Sequence, residues 1–166
     1  MTIATLLEIT FMNKFFKSFL LATMLLFISS HSFAQVKKPT AKEAVELVNK
    51  ALAYIKENGR EKAFAEFNNV NGQFVDRSLY IFAYDMKGNN LAIGNSSGQR
   101  MIGKNLYDLR DPDGVYTIRG LIEIGNTKGK GWLDHRYVNP VTKKIEPKST
   151  YVEKYEDIIV GSGIFK

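Results

Sequence analysis

Residues 131–165 read GWLDHRYVNPVTKKIEPKSTYVEKYEDIIVGSGIF and carry much of the information about the fold. The stretch predicts three successive β-strands, because β-branched and aromatic residues fill three runs that are separated by turn-forming residues. Asn139 and Pro140 mark the first connection, and residues 155–157 supply the second. The apolar run at residues 158–165 is typical of a strand buried inside a sheet. We therefore expect the rest of the chain to support this sheet.

The composition indicates one globular domain. The chain has 166 residues, of which 45% are hydrophobic and 12% aromatic, and this is enough for one ordinary core. The absence of cysteine excludes disulfides, thiol nucleophiles and thiolate metal sites. The formal net charge is +6, but basic and acidic residues alternate along the chain. This alternation favours a solvated surface, with polyanion binding as the alternative, and we expect no nucleic-acid partner.

The N-terminal residues have the pattern of a secretory signal peptide. If the chain starts at Met12, the basic residues Lys14 and Lys17 precede an uncharged apolar run at residues 19–28. The small residues that a signal peptidase recognises follow, and they end at Ala34. We expect cleavage directly after this residue.

Residues 1–34 are therefore predicted to be a signal peptide, with residues 1–11 as an upstream extension, and residues 35–166 to be one domain. The apolar run is shorter than the ~20 residues that a membrane-spanning helix needs. We expect an exported periplasmic or secreted protein that does not itself span the membrane once the signal is cleaved. The alternative is a domain anchored to the inner membrane by an uncleaved signal.

Three helices are predicted upstream of the quoted stretch. Thr40 and Glu43 have the spacing of a capping box, and apolar residues follow at helical intervals until Gly59 supplies a stop. Residues 60–67 form a second, short helix. A third is predicted at residues 115–128, where apolar positions again form a stripe.

Residues 79–84 and 90–93 are predicted to form an antiparallel hairpin, because the residues between them are rich in turn-forming types. Alternation along the first strand places Tyr80, Phe82 and Tyr84 on one face. Helices, a hairpin, a helix and three closing strands make an α+β pattern.

The residue types do not favour an enzyme. The predicted mature chain keeps one histidine, His135, and has no paired-histidine metal motif. Ser162 lacks the spacing of a nucleophile elbow, and its flanking glycines indicate close strand packing. The acids before Gly114 do not have the spacing of an EF-hand loop. We therefore expect no catalytic residue, no cofactor and no metal.

A binding site is the remaining interpretation. The period of a strand places His135 and Tyr137 on one face and Trp132 on the other. Arg119 could bind a carboxylate through two hydrogen bonds, and Lys148 could supply a second positive charge. The alternative is that these cations are surface residues and that the aromatic residues are plain core.

Several short motifs occur in an order and spacing that resemble those of one family. They are YDxxG at 84–88, GKNL at 103–106, DPDG at 111–114, GWLD at 131–134, NP at 139–140, PKSTY at 147–151 and VGSGIF at 160–165. Together they resemble the single Cache domains, which are small extracytoplasmic sensor modules with a PAS-like sheet. The resemblance is to stand-alone secreted forms of the domain.

The resemblance implies a long N-terminal helix beside a five-stranded antiparallel sheet, with a pocket on the opposite face. Such pockets take a small carboxylate or an amino-acid-like metabolite. The ligand-binding residues that it implies by position are Arg119, Trp132, His135, Tyr137 and Lys148, followed by Tyr80 and Tyr84. We also expect a signalling partner, either a membrane receptor or another envelope protein, because one exported domain cannot itself carry a signal inward.

Two places depart from the family's pattern. Ile93 and Gly94 stand where the family often has histidine and proline, and His135 and Tyr137 stand where it often has tyrosine and tryptophan. The departures predict either a ligand other than the family's usual one or a pocket without function. In the second case the protein is a structural or interaction protein of the envelope.

Overall fold

The computed structural model describes residues 37–166. The predicted signal peptide lies outside the described residues, and the domain boundary at residue 35 stays a prediction. Within residues 37–166, none of the helices combines the length and the apolar character needed to cross a membrane.

The described residues form three α-helices and seven β-strands. The helices are α1 (Ala41–Asn58), α2 (Arg60–Phe67) and α3 (Thr117–Lys128). The strands are β1 (Val75–Asp76), β2 (Leu79–Tyr80), β3 (Phe82–Asp85), β4 (Asn90–Ile93), β5 (Lys130–Val138), β6 (Ile145–Tyr155) and β7 (Ile158–Phe165). A short 3₁₀ helix, Gln99–Met101, follows β4.

Five of the strands form one antiparallel sheet in the order β4-β3-β7-β6-β5. The closing strand β7 lies at the centre of the sheet, between β3 and β6, and all but one of its residues are buried. The short strands β1 and β2 form a separate ladder. The predicted α+β fold, with a long N-terminal helix and a five-stranded antiparallel sheet, is confirmed.

One face of the sheet is covered by α1 and α2. Helix α1 begins with the predicted capping box, in which the Glu43 amide donates to the Thr40 hydroxyl at 3.2 Å and the Thr40 amide donates to the Glu43 carboxylate at 2.6 Å. An apolar stripe of α1 packs on the sheet through Ala44, Val48, Ala51, Leu52 and Ile55. These contacts make a largely apolar core on this face.

The opposite face of the sheet is covered by α3. Leu121 and Ile122 of this helix pack against side chains of the central strands, among them Phe82 and Ile159. Between helix and sheet lie several buried polar side chains as well. The two faces therefore differ in chemistry, and the polar one is the side on which a polar ligand can be bound.

The structure departs from two predicted boundaries. Helix α3 begins at Thr117 and not at residue 115, because the Asp111 carboxylate accepts hydrogen bonds from the amides of Asp113 (3.0 Å) and Val115 (2.8 Å) and holds this segment in a turn. The predicted strand at residues 79–84 is divided into β2 and β3, because the chain changes strand partners there.

Candidate ligand-binding site

A small cavity lies between α3 and the sheet, on the face away from α1. Its volume is about 30 Å³, and we call it the inner cavity. Its polar lining consists of Tyr80, Tyr84, His135, Tyr137, Lys148 and Thr150. The hydroxyl-bearing Thr117 adds a seventh polar residue, and the apolar lining consists of Phe82, Ile93, Ile118 and Leu121. No aspartate or glutamate of the described chain lines it.

Lys148 on β6 places its ammonium group in this cavity. The residue is 3% exposed, and its Nζ donates a 2.8 Å hydrogen bond to the hydroxyl of Tyr80. Three aromatic rings surround the nitrogen, with centroids at 4.2 Å for Tyr80, 5.0 Å for Phe165 and 5.2 Å for Tyr137. Among residues 37–166 it makes no salt bridge with a carboxylate.

Burial of this ammonium without a carboxylate partner changes its acidity. Removal from water disfavours the charged form, which lowers the pKa of Lys148 to about 7 from its ordinary 10.5. The ring faces offset part of that cost, because an aromatic quadrupole attracts a cation. Two of the three N–H donors remain for a ligand once Tyr80 has accepted one. The cavity therefore presents a positive charge with unused hydrogen-bonding capacity.

His135 on β5 faces the same cavity, but both of its ring nitrogens are already engaged. Nδ1 lies 3.2 Å from the Arg136 carbonyl oxygen, which can only accept, so Nδ1 carries the proton. Nε2 then accepts from the Thr150 hydroxyl at 2.8 Å. Burial, together with the charge of Lys148, lowers the pKa of His135 to about 4. The imidazole is therefore neutral at pH 7 and oriented by Thr150.

The phenol groups of Tyr80, Tyr84 and Tyr137 complete the polar lining. Burial raises the pKa of each of them, so all three are protonated and can donate. The amide of Asn95 lies beside two of these hydroxyls, those of Tyr80 and Tyr137, and opposes that rise. Asn95 is 3% exposed, and its Nδ2 makes no hydrogen bond in the described structure. It is a further donor beside the cavity.

Gly163 on β7 makes room for the side chains of the neighbouring strand. It stands opposite Thr150 in the β6–β7 ladder. A Cβ atom at this position would lie 2.5 Å from the Thr150 hydroxyl oxygen and 2.8 Å from Cε of Lys148. Both distances are far shorter than a normal contact, so the glycine is a steric requirement of the site. The predicted close packing at this glycine is confirmed.

A larger cavity adjoins the inner one, and we call it the outer cavity. Its volume is about 180 Å³. The residues that line both cavities are Tyr84, Thr117, Ile118 and Tyr137. The apolar residues that line the outer cavity alone are Met101, Leu106, Leu109, Pro112, Val138 and Ile145. Its charged residues are Arg110, Asp111 and Arg136.

The structure brings five of the seven predicted site residues together and leaves two outside both cavities. Tyr80, Tyr84, His135, Tyr137 and Lys148 line the inner cavity. The other two, Arg119 and Trp132, line neither cavity. Asn95 and Thr150 were not predicted from the sequence. Asn95 lies between β4 and the 3₁₀ helix, where no residue pattern indicates a contact with the tyrosines.

Arg119 projects from α3 towards the loop before it. Its guanidinium pairs with Asp108 and lies over the rings of Tyr107 (5.0 Å) and Tyr116 (3.9 Å). Trp132 lies on the other face of β5, as strand alternation requires; it is 39% exposed, with its ring 5.3 Å from that of Tyr151. Neither residue lines the cavities described above. Across residues 37–166, no three His, Cys, Asp or Glu side chains are grouped as a metal site would require.

The sequence matches the family described as Single Cache domain 2 over residues 21–165. This chain belongs to the single Cache domain family. Cache domains are extracytoplasmic sensor modules of chemotaxis receptors, and such sensor domains are typically non-catalytic. The resemblance found in the sequence motifs is thus confirmed.

Relatives of this Cache domain include chemotaxis receptors. The chain is 32% identical over 111 residues to the methyl-accepting chemotaxis protein CtpM of Pseudomonas aeruginosa; the match covers 64% of this chain and 18% of CtpM. The chain therefore spans less than a fifth of the length of that relative.

Solved structures with the same fold include two chemosensory proteins. A methyl-accepting chemotaxis protein from Vibrio parahaemolyticus superposes with a TM-score of 0.63 at 31% identity, over 75% of this chain and 86% of that chain. A Cache chemosensory domain described for its carboxylic acid recognition superposes with a TM-score of 0.60 at 20% identity, over 75% of this chain and 92% of that one. The second likeness concerns the fold alone.

Proposed function

We propose that this chain is an extracytoplasmic sensor domain that binds a small carboxylate in the inner cavity, with the Lys148 ammonium as its counter-ion. The observation that carries the proposal is a buried cation that has no carboxylate partner within residues 37–166. A buried charge is costly unless it is paired, and an anionic ligand would supply the missing partner.

The lining of the inner cavity favours a carboxylate over an amino acid. Lys148, together with the hydroxyls of Tyr80 and Tyr137, offers donors that suit the two oxygens of a carboxylate. An amino acid would also bring an ammonium group, which needs a nearby acid. The inner cavity has no acid in its described lining and already holds one positive charge, so a second cation would be repelled.

The sensor acts through a partner in this proposal. Cache domains are sensor modules of chemotaxis receptors, and the occupied state of this one is recognised by a membrane receptor or by another envelope protein. The signal-peptide pattern of residues 1–34 supports a periplasmic or secreted location. A carboxylate-binding Cache domain of the same fold adds a parallel for the ligand class.

The test is calorimetric titration of the purified protein with acetate and with propionate at about pH 6, where Lys148 is charged. We expect saturable binding by the wild-type protein and no measurable binding by Lys148→Met, because the variant keeps the length of the side chain and loses its charge. Lys154→Met is the matched control, since Lys154 lies on the same strand and is exposed.

Binding that survives in Lys148→Met would assign the anion to another site. A folded wild-type protein that binds no carboxylate or amino acid, and that co-purifies with an envelope protein, would instead favour a structural or interaction role. A ligand retained through purification would also prevent binding in the titration. Mass spectrometry of small molecules released from the natively purified protein detects such a ligand.

A further inference from the structure

We propose that the ligand is a monocarboxylate with an apolar chain, whose carboxylate lies in the inner cavity and whose hydrocarbon chain extends into the outer cavity. This inference rests on the proposed function, because it takes Lys148 as the site of the carboxylate. It adds the outer cavity as a second part of the binding site and names the class of ligand that fits both parts.

The sizes of the two cavities support this division. The inner cavity, at about 30 Å³, exceeds the volume needed for one water molecule by only about twofold, so it has room for a carboxylate group and little more. The outer cavity is six times larger, at about 180 Å³. A ligand with more than a few atoms must therefore leave the inner cavity.

The two cavities adjoin, so the hydrocarbon chain of the ligand can extend from the inner cavity into the outer one. Thr117 and Ile118 at the start of α3 line both of them, as do Tyr84 and Tyr137 from the sheet. A hydrocarbon chain attached to a carboxylate beside Lys148 would pass between the helix and the sheet at these residues. It would then meet the apolar residues of the outer cavity.

The lining of the outer cavity favours hydrocarbon. Six apolar side chains line it alone, and two of them are left half exposed: Leu109 at 51% and Ile145 at 50%. When an apolar ligand covers large exposed apolar side chains, it removes their surface from water, and this makes the free energy of binding more favourable. A hydrocarbon chain in the outer cavity would cover these two residues.

The Asp111 charge in the outer cavity disfavours a second carboxylate. The Asp111 carboxylate lies in its lining; burial opposes ionisation there, but amide donors from Arg136, Val115 and Asp113 hold the pKa of Asp111 below its ordinary value. Arg110 is engaged by Tyr116, through a hydrogen bond and through its ring at 4.2 Å. Arg136 is the remaining cation of this lining. Its backbone amide donates to the Asp111 carboxylate at 2.7 Å, and its guanidinium makes no salt bridge within residues 37–166.

The test is calorimetric titration of the full-length purified protein at about pH 6 with acetate, butyrate, hexanoate and octanoate. We expect affinity to rise with chain length by up to about fourfold for each methylene group buried. Ile145→Asp and Leu109→Asp each place a charge in the lining of the outer cavity, and we expect each to remove the gain in affinity from acetate to hexanoate. Val141→Asp is the matched control, because Val141 is 64% exposed on the same β5–β6 hairpin and lines neither cavity.

The outcomes distinguish this inference from the proposed function. If acetate binds in a Lys148-dependent manner but hexanoate binds no more tightly, the inference is overturned and the proposed function stands. If adipate, the dicarboxylate of equal length, binds more tightly than hexanoate, the outer cavity takes a second anion and the inference is again overturned. If the folded wild-type protein binds none of these acids, the proposed function fails and the inference fails with it.

Discussion

His135 and Lys148 stand directly opposite each other in the β5–β6 ladder, and both side chains enter the inner cavity. Two basic groups thus share one small buried volume, and the charge of Lys148 adds to burial in lowering the pKa of His135. With pKa values of about 4 for His135 and about 7 for Lys148, a neutral imidazole and an ammonium coexist between these two pH values. That window is where an anion should bind best.

The first prediction concerns the pH dependence of binding. Because only the ammonium form of Lys148 attracts an anion, acetate affinity should be constant near pH 6 and should fall above about pH 7, by up to about tenfold per pH unit. Calorimetric titration across this range, in buffers of different ionisation enthalpy, would also show proton uptake above pH 7. An affinity that stays level up to pH 9 would contradict the assignment of Lys148 as counter-ion.

The second prediction concerns stability without ligand. The folded-state pKa of Lys148 lies below its ordinary value, so between about pH 7 and 10.5 the unfolded chain binds a proton that the folded chain does not. The wild-type free energy of unfolding should therefore rise with pH over that range. Lys148→Met removes the buried charge and should raise the free energy of unfolding at about pH 6 by about 1–4 kcal/mol, with the difference shrinking at higher pH.

Urea denaturation at several pH values, with Lys154→Met as the exposed control, measures this difference. A Lys148→Met protein that is less stable than wild type at about pH 6 would show that the ammonium stabilises the fold. The binding role would then need other support.

The third prediction concerns His135 and its partner. The pKa of His135 is depressed to about 4, so stability should fall as the pH drops from about 6.5 to about 4, where the unfolded chain binds the proton first. Thr150→Val removes the donor to Nε2 and should cost about 1–3 kcal/mol, because a buried acceptor loses its partner. The exposed Thr142→Val is the control and should change stability by less than about 0.5 kcal/mol.

The ring-proton NMR signal of His135 provides a direct check of the same residue. It should show no titration between pH 8 and pH 5 in the ligand-free protein. A midpoint near 6.5 would mean that the imidazole is exposed to water and not held between Thr150 and the Arg136 carbonyl.

The fourth prediction concerns the two candidates that lie outside the cavities. Arg119→Ala and Trp132→Phe should leave acetate affinity within about twofold of wild type, because neither side chain lines the inner or the outer cavity. Arg119→Ala should instead loosen the loop that it ties through Asp108 and the adjacent tyrosine rings. A loss of binding as large as that expected for Lys148→Met would place the residue at the ligand.

Much of the fold could be predicted because its signals are local. The capping box at Thr40 and Glu43 and the glycine at position 59 define α1 without reference to the rest of the chain. The division of the strand at residues 79–84 could not be predicted, because the alternation of side chains continues through Ile81 while the strand partners change. Strand pairing depends on residues that are distant in sequence, so the alternation of apolar and polar residues within one strand does not predict it.

The site was predictable where a strand set the direction of a side chain. Alternation along β5 correctly grouped His135 with Tyr137 and separated Trp132 from them. The family resemblance, in contrast, implied that Trp132 binds the ligand. The direction of Arg119 depends on how α3 rotates against the sheet and on the path of the loop that carries Asp108. Asn95 lies on a loop beside the tyrosines. The side-chain directions of loop residues follow no regular period, so this contact could not be predicted from the sequence.

Gly163 links the evolution of three positions in this chain. A side chain there would occupy the space that holds the stem of Lys148 and the hydroxyl of Thr150, so substitution at one position changes what the other two can tolerate. Among related sequences, we expect a glycine at this point wherever the lysine and the threonine are kept together. Where they are lost, the Ser149 carbonyl oxygen, 2.7 Å from the same Cβ position, still disfavours a side chain. Loss of the lysine and the threonine from chains that keep this glycine would therefore mark lineages that retain the scaffold without the charge that binds a ligand.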